Sequence, residues 1–216
     1  MTSFGLCRQR HGHGGGWLAC RRQMPGPIRR DCPLRANEQV VYTPYTRRNK
    51  VGRGGVVSGI NFGIAAHNGR VFIPVSDVPD GRSYDTPARP GIYALDVDTG
   101  EYLWQAPSKD DTYGGRPGCY PGYSAAITVT DEYVLAGGND GWLRAFDVAT
   151  GDILWSFDTT QTFTTVDGGT ATGGAIGGGQ GPLVIGDRLI LDSGYAFAGK
   201  MLGNLLLVLR APQSEE

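Results

Sequence analysis

Gly91-Ile-Tyr-Ala-Leu-Asp-Val-Asp-Thr-Gly-Glu-Tyr-Leu-Trp104 and, 51 residues on, Trp142-Leu-Arg-Ala-Phe-Asp-Val-Ala-Thr-Gly-Asp-Ile-Leu-Trp155 are two copies of one unit. Ala94, Asp96, Thr99, Gly100, Leu103 and Trp104 recur as Ala145, Asp147, Thr150, Gly151, Leu154 and Trp155. Self-similarity at such a period is the mark of a repeat architecture. Ile92/Ala94 and Leu143/Ala145 alternate with polar neighbours, as in a half-buried strand. Asp96 or Asp147 then opens a turn in which Thr supplies capping oxygens and Gly supplies a positive φ. The stretch ending at the Trp returns as the second strand of a hairpin. Each Trp carries on the order of 200 Å² of surface, enough to wedge one sheet against the next.

A second pattern lies upstream of each hairpin. Residues 65–75 read as strand, Asn68-Gly69 turn and strand; residues 127–136 repeat this through Asp131-Glu132, and residues 183–191 through Gly186-Asp187. A further outer-strand start, 203–209, follows without a Thr-Gly or a Trp. The chain is therefore predicted to be all-β, with two whole blades at about 60–107 and 123–158 and most of a third at about 176–210. Propellers close with four to eight four-stranded blades. About three blades do not close, so the sequence reads as a C-terminal piece of a larger propeller, or as one that other blades or chains complete.

The composition agrees. Thirty-five Gly and 13 Pro in 216 residues mean frequent reversals. No run approaches the ~18 apolar residues of a membrane span, and the longest, 205–209, is strand-sized. The net charge of −1 hides an asymmetry: residues 1–53 hold eleven Lys/Arg against Asp31 and Glu38, a net of +9, and the remainder nets −10. Residues 1–54 show no alternation or helical period and are expected to be a basic, irregular arm outside the folded unit; 211–216 are a tail. Charge alone does not make the arm a nucleic-acid binder. Arginine pairs at 21–22 and 29–30 are followed by no apolar h-region, so no export signal is expected there. Cys7, Cys20, Cys32 and Cys119 form neither a C-x-x-C-H haem motif nor a zinc spacing.

The unit Ala-x-Asp-x-x-Thr-Gly-x-x-x-Trp resembles the repeat of pyrroloquinoline-quinone (PQQ) dependent quinoprotein dehydrogenases. Cys119-Tyr-Pro-Gly-Tyr-Ser-Ala-Ala, Gly137-Gly-Asn-Asp-Gly-Trp-Leu-Arg-Ala-Phe-Asp, Phe157-Asp-Thr, Phe163-Thr-Thr-Val and Gly173-Gly-Ala-Ile are similar to the polyvinyl-alcohol dehydrogenase group, as is the closing Ser193-Gly-Tyr. The resemblance covers residues 55–210. It implies periplasmic oxidation of a small or polymeric secondary alcohol, with PQQ and Ca²⁺ as cofactors and cytochrome c as the electron acceptor.

Candidate site residues follow from it. Asp77, at the end of a strand, falls at the family's Ca²⁺-binding position, although a strand-end Asp also serves as a turn acceptor. The family's catalytic Asp follows a Pro-Gly, whereas here Arg89-Pro90-Gly91 runs into Ile92. Asp110 and Asp111, in a loop after the first hairpin, are a paired-acid candidate for a base or metal, against the alternative of a solvated loop. Trp142, outside the wedge position, is a stacking candidate. Gly173 and Gly174 allow backbone to approach either a planar ligand or neighbouring strands. Asn139 and Asp140 read as a connecting turn. His11, His13 and His67 read as solvated, and Cys119 has no evident partner. Two functions fit: part of an alcohol dehydrogenase, or a non-catalytic scaffold propeller of the outer-membrane assembly lipoprotein kind.

Overall fold

The computed structural model describes residues 5–7, 18–20, 52–53, 57–79, 81–84, 86–109 and 116–211. The chain divides into two compact units, Met1–Val41 and Tyr42–Glu216. In the first, strands β1 (Gly5–Cys7) and β2 (Leu18–Cys20) pair antiparallel.

The second unit is built from separate antiparallel sheets. Strands β3 (Ala65–His67), β4 (Arg70–Val75), β5 (Gly91–Asp96) and β6 (Tyr102–Pro107) form a four-stranded meander. Strands β7 (Thr128–Val129), β8 (Tyr133–Gly137), β9 (Trp142–Asp147) and β10 (Ile153–Asp158) form a second. A short ladder of β11 (Thr162–Thr164) and β12 (Thr170–Thr172), not foreseen from the repeat, precedes a three-stranded sheet. That sheet comprises β13 (Leu183–Ile185), β14 (Arg188–Ser193) and β15 (Leu205–Arg210). The only helical element among the described residues is one short 3₁₀ turn, Phe197–Gly199. No helix is long and apolar enough to cross a membrane. The all-β, partial-propeller architecture read from the repeat is the one observed.

Local chemistry explains the hairpins. Asn68 and Gly69 both take positive φ, 47° and 73°, the combination a tight reversal between twisted strands needs. Asp96 Oδ1 accepts the amides of Asp98 (3.0 Å) and Thr99 (2.7 Å), and Asp147 Oδ1 accepts those of Ala149 (2.7 Å) and Thr150 (2.8 Å). Gly100 and Gly151 then close each turn by donating to the carbonyls of Asp96 and Asp147, each at 2.9 Å. Both returning strands carry a bulge just before the Trp: Trp104 opposes Ala94 while Tyr102 opposes Leu95, and Trp155 opposes Ala145 while Ile153 opposes Phe146. The extra residues, Leu103 and Leu154, are exposed.

The sheets stack face to face. Phe72, Ile92, Ala94 and Trp104 of the first sheet pack on Val134, Ala136 and Phe146 of the second. Leu143 of the second shares a core with Leu191, Leu205 and Leu207 of the third. Trp104 is the wedge the sequence predicts. It is 8% exposed, its indole N–H donates to the Val148 carbonyl at 3.2 Å, and its ring lies on Gly151 of the next blade. A Cβ on Gly151, whose φ is +78°, would come within 2.5 Å of that ring.

Trp155 departs from the wedge expectation. It is 41% exposed, stacks on Phe157 (5.9 Å between centroids), and its indole N–H makes no hydrogen bond among the described residues. The reason lies in the third sheet. Its Ala211 amide bonds to Asp187 O as Val148 does to Glu132 O, so Arg210 stands where Asp96 and Asp147 stand. Arginine has no oxygen to accept the two turn amides that Asp96 and Asp147 accept, so this strand end lacks the carboxylate that shapes the other two turns; the place of Gly151 falls outside the described residues.

Candidate functional site

Asp77 follows β4 directly, fully buried and with φ at +40°. Its Oδ1 accepts the amides of Arg53 (2.9 Å) and Gly59 (2.8 Å), and its Oδ2 that of Arg89 (2.8 Å). Three N–H dipoles converge on the carboxylate and tie three segments together. A cation bound there would face the positive ends of those dipoles. No group of three or more His, Cys, Asp or Glu able to hold a metal exists among the described residues. Among the described residues, the donors gathered round Asp77 do not fit a Ca²⁺ site.

Ile92, which stands where the resemblance would place the catalytic carboxylate, has a fully buried side chain in the core between the first two sheets. Asp110 and Asp111 lie outside the described residues, as do His11 and His13. Gly173 and Gly174 serve close backbone approach: a Cβ on Gly173 would meet Thr159 O at 2.2 Å, and one on Gly174 would meet Met201 O at 2.3 Å. Ser193 Oγ bonds to Gly174 N and O and to Thr159 Oγ1 beside them, a polar latch between the second and third sheets. Neither glycine presents a free platform for a planar cofactor.

Asn139 and Asp140 do more than turn the chain. Asn139 is fully buried: its amide donates to Ser76 Oγ and Pro121 O, and its carbonyl accepts from Ser124, joining the first and second sheets. Asp140 accepts Trp142 N–H at 3.0 Å and both arms of Arg144, at 3.1 and 2.6 Å. The Arg144 guanidinium lies 5.8 Å from the Trp142 ring centroid and 5.9 Å from that of Tyr123. Burial opposes its charge, but Tyr123 and Asp140 outweigh that and hold its pKa above the ordinary value. Sequence reading missed Arg144. Its one signal is a carboxylate four residues before an arginine across a tight reversal.

His67 Nε2 sits 3.2 Å from Asp131 and 2.8 Å from the Asn68 amide, at the rim. The Cys119 thiol is buried 3.9 Å from Asp140 O, and burial raises its pKa. Lys200 is also buried; its ammonium lies 5.9 Å from the Tyr195 ring, and desolvation lowers its pKa. Tyr93, held by Arg89 O at 2.8 Å, is raised to about 12 by burial and then by the neighbouring Tyr102. It stays a neutral hydroxyl at physiological pH.

Two depressions flank the end of β6. One, of about 750 Å³, opens between the first and second sheets above Trp142 and Arg144. The other, of about 580 Å³, lies beside Asp77, Arg89 and Tyr93. Gln105, Pro107 and Ser108 line both.

Stacked four-stranded antiparallel meanders define a segment of a β-propeller. A PQQ_2 family model, described as outer membrane protein assembly factor BamB, matches residues 38–201, and the chain belongs to that repeat family. It is similar to polyvinylalcohol dehydrogenase of Sphingopyxis sp. (strain 113P3), at 40% identity over 146 residues, which cover 66% of this chain and 22% of that protein. Polyvinylalcohol dehydrogenase of Pseudomonas sp is 34% identical over 149 residues, covering 68% and 22% respectively. The chain thus spans about a fifth of the length of these curated relatives. Quinohemoprotein alcohol dehydrogenase ADHIIG from Pseudomonas putida HK5 matches in structure with a TM-score of 0.50 at 21% identity, over 76% of this chain and 21% of that one. This last likeness concerns the fold alone.

Proposed function

We propose that residues 55–210 form part of the propeller wall of a PQQ-dependent alcohol dehydrogenase of the polyvinyl-alcohol type, with residues 1–54 a basic arm whose end at Arg53 is tied to Asp77, and 211–216 a tail. Such an enzyme would be periplasmic, oxidise a secondary alcohol and pass electrons to a cytochrome c. Bound PQQ supplies the two-electron acceptor in this chemistry. The described residues build wall and inter-blade latches, and the groups that hold quinone and Ca²⁺ would come from elsewhere in the assembly. The observation that carries the reading is the 40% identity to polyvinylalcohol dehydrogenase across 146 residues.

A second reading, a non-catalytic scaffold propeller, is favoured by the buried Ile92 at the expected carboxylate position and by the description of the matching family model. A chimera separates the two. Residues 55–210 replace the matching segment of the Sphingopyxis enzyme, and bound quinone is measured after desalting. Retained quinone is the expected result. A folded chimera that loses all its quinone would favour the scaffold.

A further inference from the structure

Lys200 and Met201 lie between the 3₁₀ turn and β15, and the chain there is held from both sides. Met201 N donates to Gly118 O and Met201 O accepts from Ala175 N, each at 2.9 Å. A Cβ on Gly118 would come within 2.9 Å of the Lys200 carbonyl carbon. Lys200 is thereby fixed in an interior place, 4% exposed. Among the described residues its ammonium has no carboxylate in ion-pair reach and no hydrogen-bond acceptor. Its nearest polarisable partner is the Tyr195 ring, whose centroid is 5.9 Å away, at the outer limit for a cation over an aromatic face. Tyr195 is itself pinned. Phe62 and Phe197 meet it at 6.1 and 6.0 Å, and a Cβ on Gly177 would come within 2.5 Å of it.

An ammonium in such a place has lost hydration that nothing replaces, and this desolvation lowers its pKa. The uncharged amine suits the surroundings better, and an amine is a nucleophile. Lys200 Nζ is not among the fully enclosed polar atoms, so the tip still meets solvent, through an opening that admits only a small molecule. An anion would be poorly held there. The neighbouring amides of Cys119, Ala175, Lys200 and Met201 each already donate to a carbonyl, so it would find one donor and no second.

From these features we infer that Lys200 is a covalent capture site for small neutral aldehydes, which form an imine at Nζ beside the Tyr195 ring. The nitrogen lone pair makes the new C–N bond, and the carbonyl oxygen leaves as water carrying both amine protons. Nothing is oxidised or reduced. The imine is uncharged and needs no counter-ion where none exists. This site does not depend on the dehydrogenase reading.

Reductive trapping on the whole chain tests the inference. The chain is treated with propanal and cyanoborohydride at neutral pH, digested, and mapped by mass spectrometry. Its lysines are Lys50, Lys109 and Lys200, and the exposed Lys109 serves as internal reference. Lys200 is expected to be alkylated at least about tenfold faster than Lys109, because far more of it is in the reactive amine form. Pyridoxal, too bulky for the opening, is expected to reverse that order. Sodium formate is expected to slow Lys200 by less than about twofold, as ionic screening alone would. Lys200→Met removes an unpaired buried charge and is expected to melt no earlier than the native chain. Propanal labelling of Lys200 no faster than Lys109, preference of pyridoxal for Lys200, strong protection by formate, or a clearly earlier melt of Lys200→Met overturns the proposal.

Discussion

Truncating Trp104 and Trp155 to alanine, one at a time, compares the same repeat position with and without its glycine seat. Exposure is 8% at Trp104 and 41% at Trp155, a difference of one third of the side chain. Taking roughly 250 Å² for a tryptophan, that third is roughly 80 Å², and at about 25 cal/mol per Å² it is worth ~2 kcal/mol. The bond from the Trp104 indole to Val148 O adds ~1 kcal/mol. Trp104→Ala should therefore cost ~3 kcal/mol more than Trp155→Ala, within the ~3–5 kcal/mol range of large aromatic truncations. For a unit of this size, that separates the melting temperatures by roughly 6–12 °C. Urea titration followed by far-ultraviolet circular dichroism gives the free energies, and a thermal scan gives the temperatures. Equal losses for the two variants would refute the argument that the seat, and not the residue, supplies the stability.

Asp77→Asn should destabilise the fold by about 1–3 kcal/mol, because an amide nitrogen then faces the Arg89 N–H; added Ca²⁺ should leave the melting temperature of the native chain unchanged. Arg144→Met strands the buried Asp140 carboxylate and should cost about 3–5 kcal/mol by urea titration, with part regained when Asp140→Ala is added. Asp96, Asp147 and Asp167 have lowered pKa values, the first two chiefly from the Thr99 and Thr150 amides and the third from the Thr165 hydroxyl. Their folded values lie below the unfolded ones, so their contribution is whole above about pH 4 and is lost as pH falls through the lowered values. Asp96→Asn with Asp147→Asn should lower stability at neutral pH and flatten the acid limb of stability measured against pH, so that variant and native chain converge at low pH.

The hairpins were legible because their information is local. Asp96, Thr99 and Gly100 satisfy one another within five residues, and the same types recur at 147, 150 and 151. The fate of the tryptophans was only half legible, since burial of Trp104 depends on Gly151 in another blade, which the first hairpin's own sequence does not contain. The polar interior was the least legible part. Asp140 reads as a turn residue until the side chain of Arg144 is seen returning to it from the next strand. Asp77 shows the same ambiguity in another form: a strand-end carboxylate looks alike in sequence whether a cation or three backbone amides surround it. Gly173 and Gly174 leave no trace of which atoms they admit, because that depends on Thr159, fourteen residues before the first, and Met201, twenty-seven after the second.

The bulges at Leu103 and Leu154 have a consequence for the spelling of the repeat. In a regular ladder Trp104 would oppose Tyr93 and point away from the second blade; the one extra residue puts it opposite Ala94 instead. The bulge therefore acts as a phase setting. Were Leu103 drawn into the ladder as a regular pair, every amino-acid type that matters would be kept and the indole would still turn to the wrong side. Deleting Leu103, by contrast, would leave Trp104 opposite Ala94.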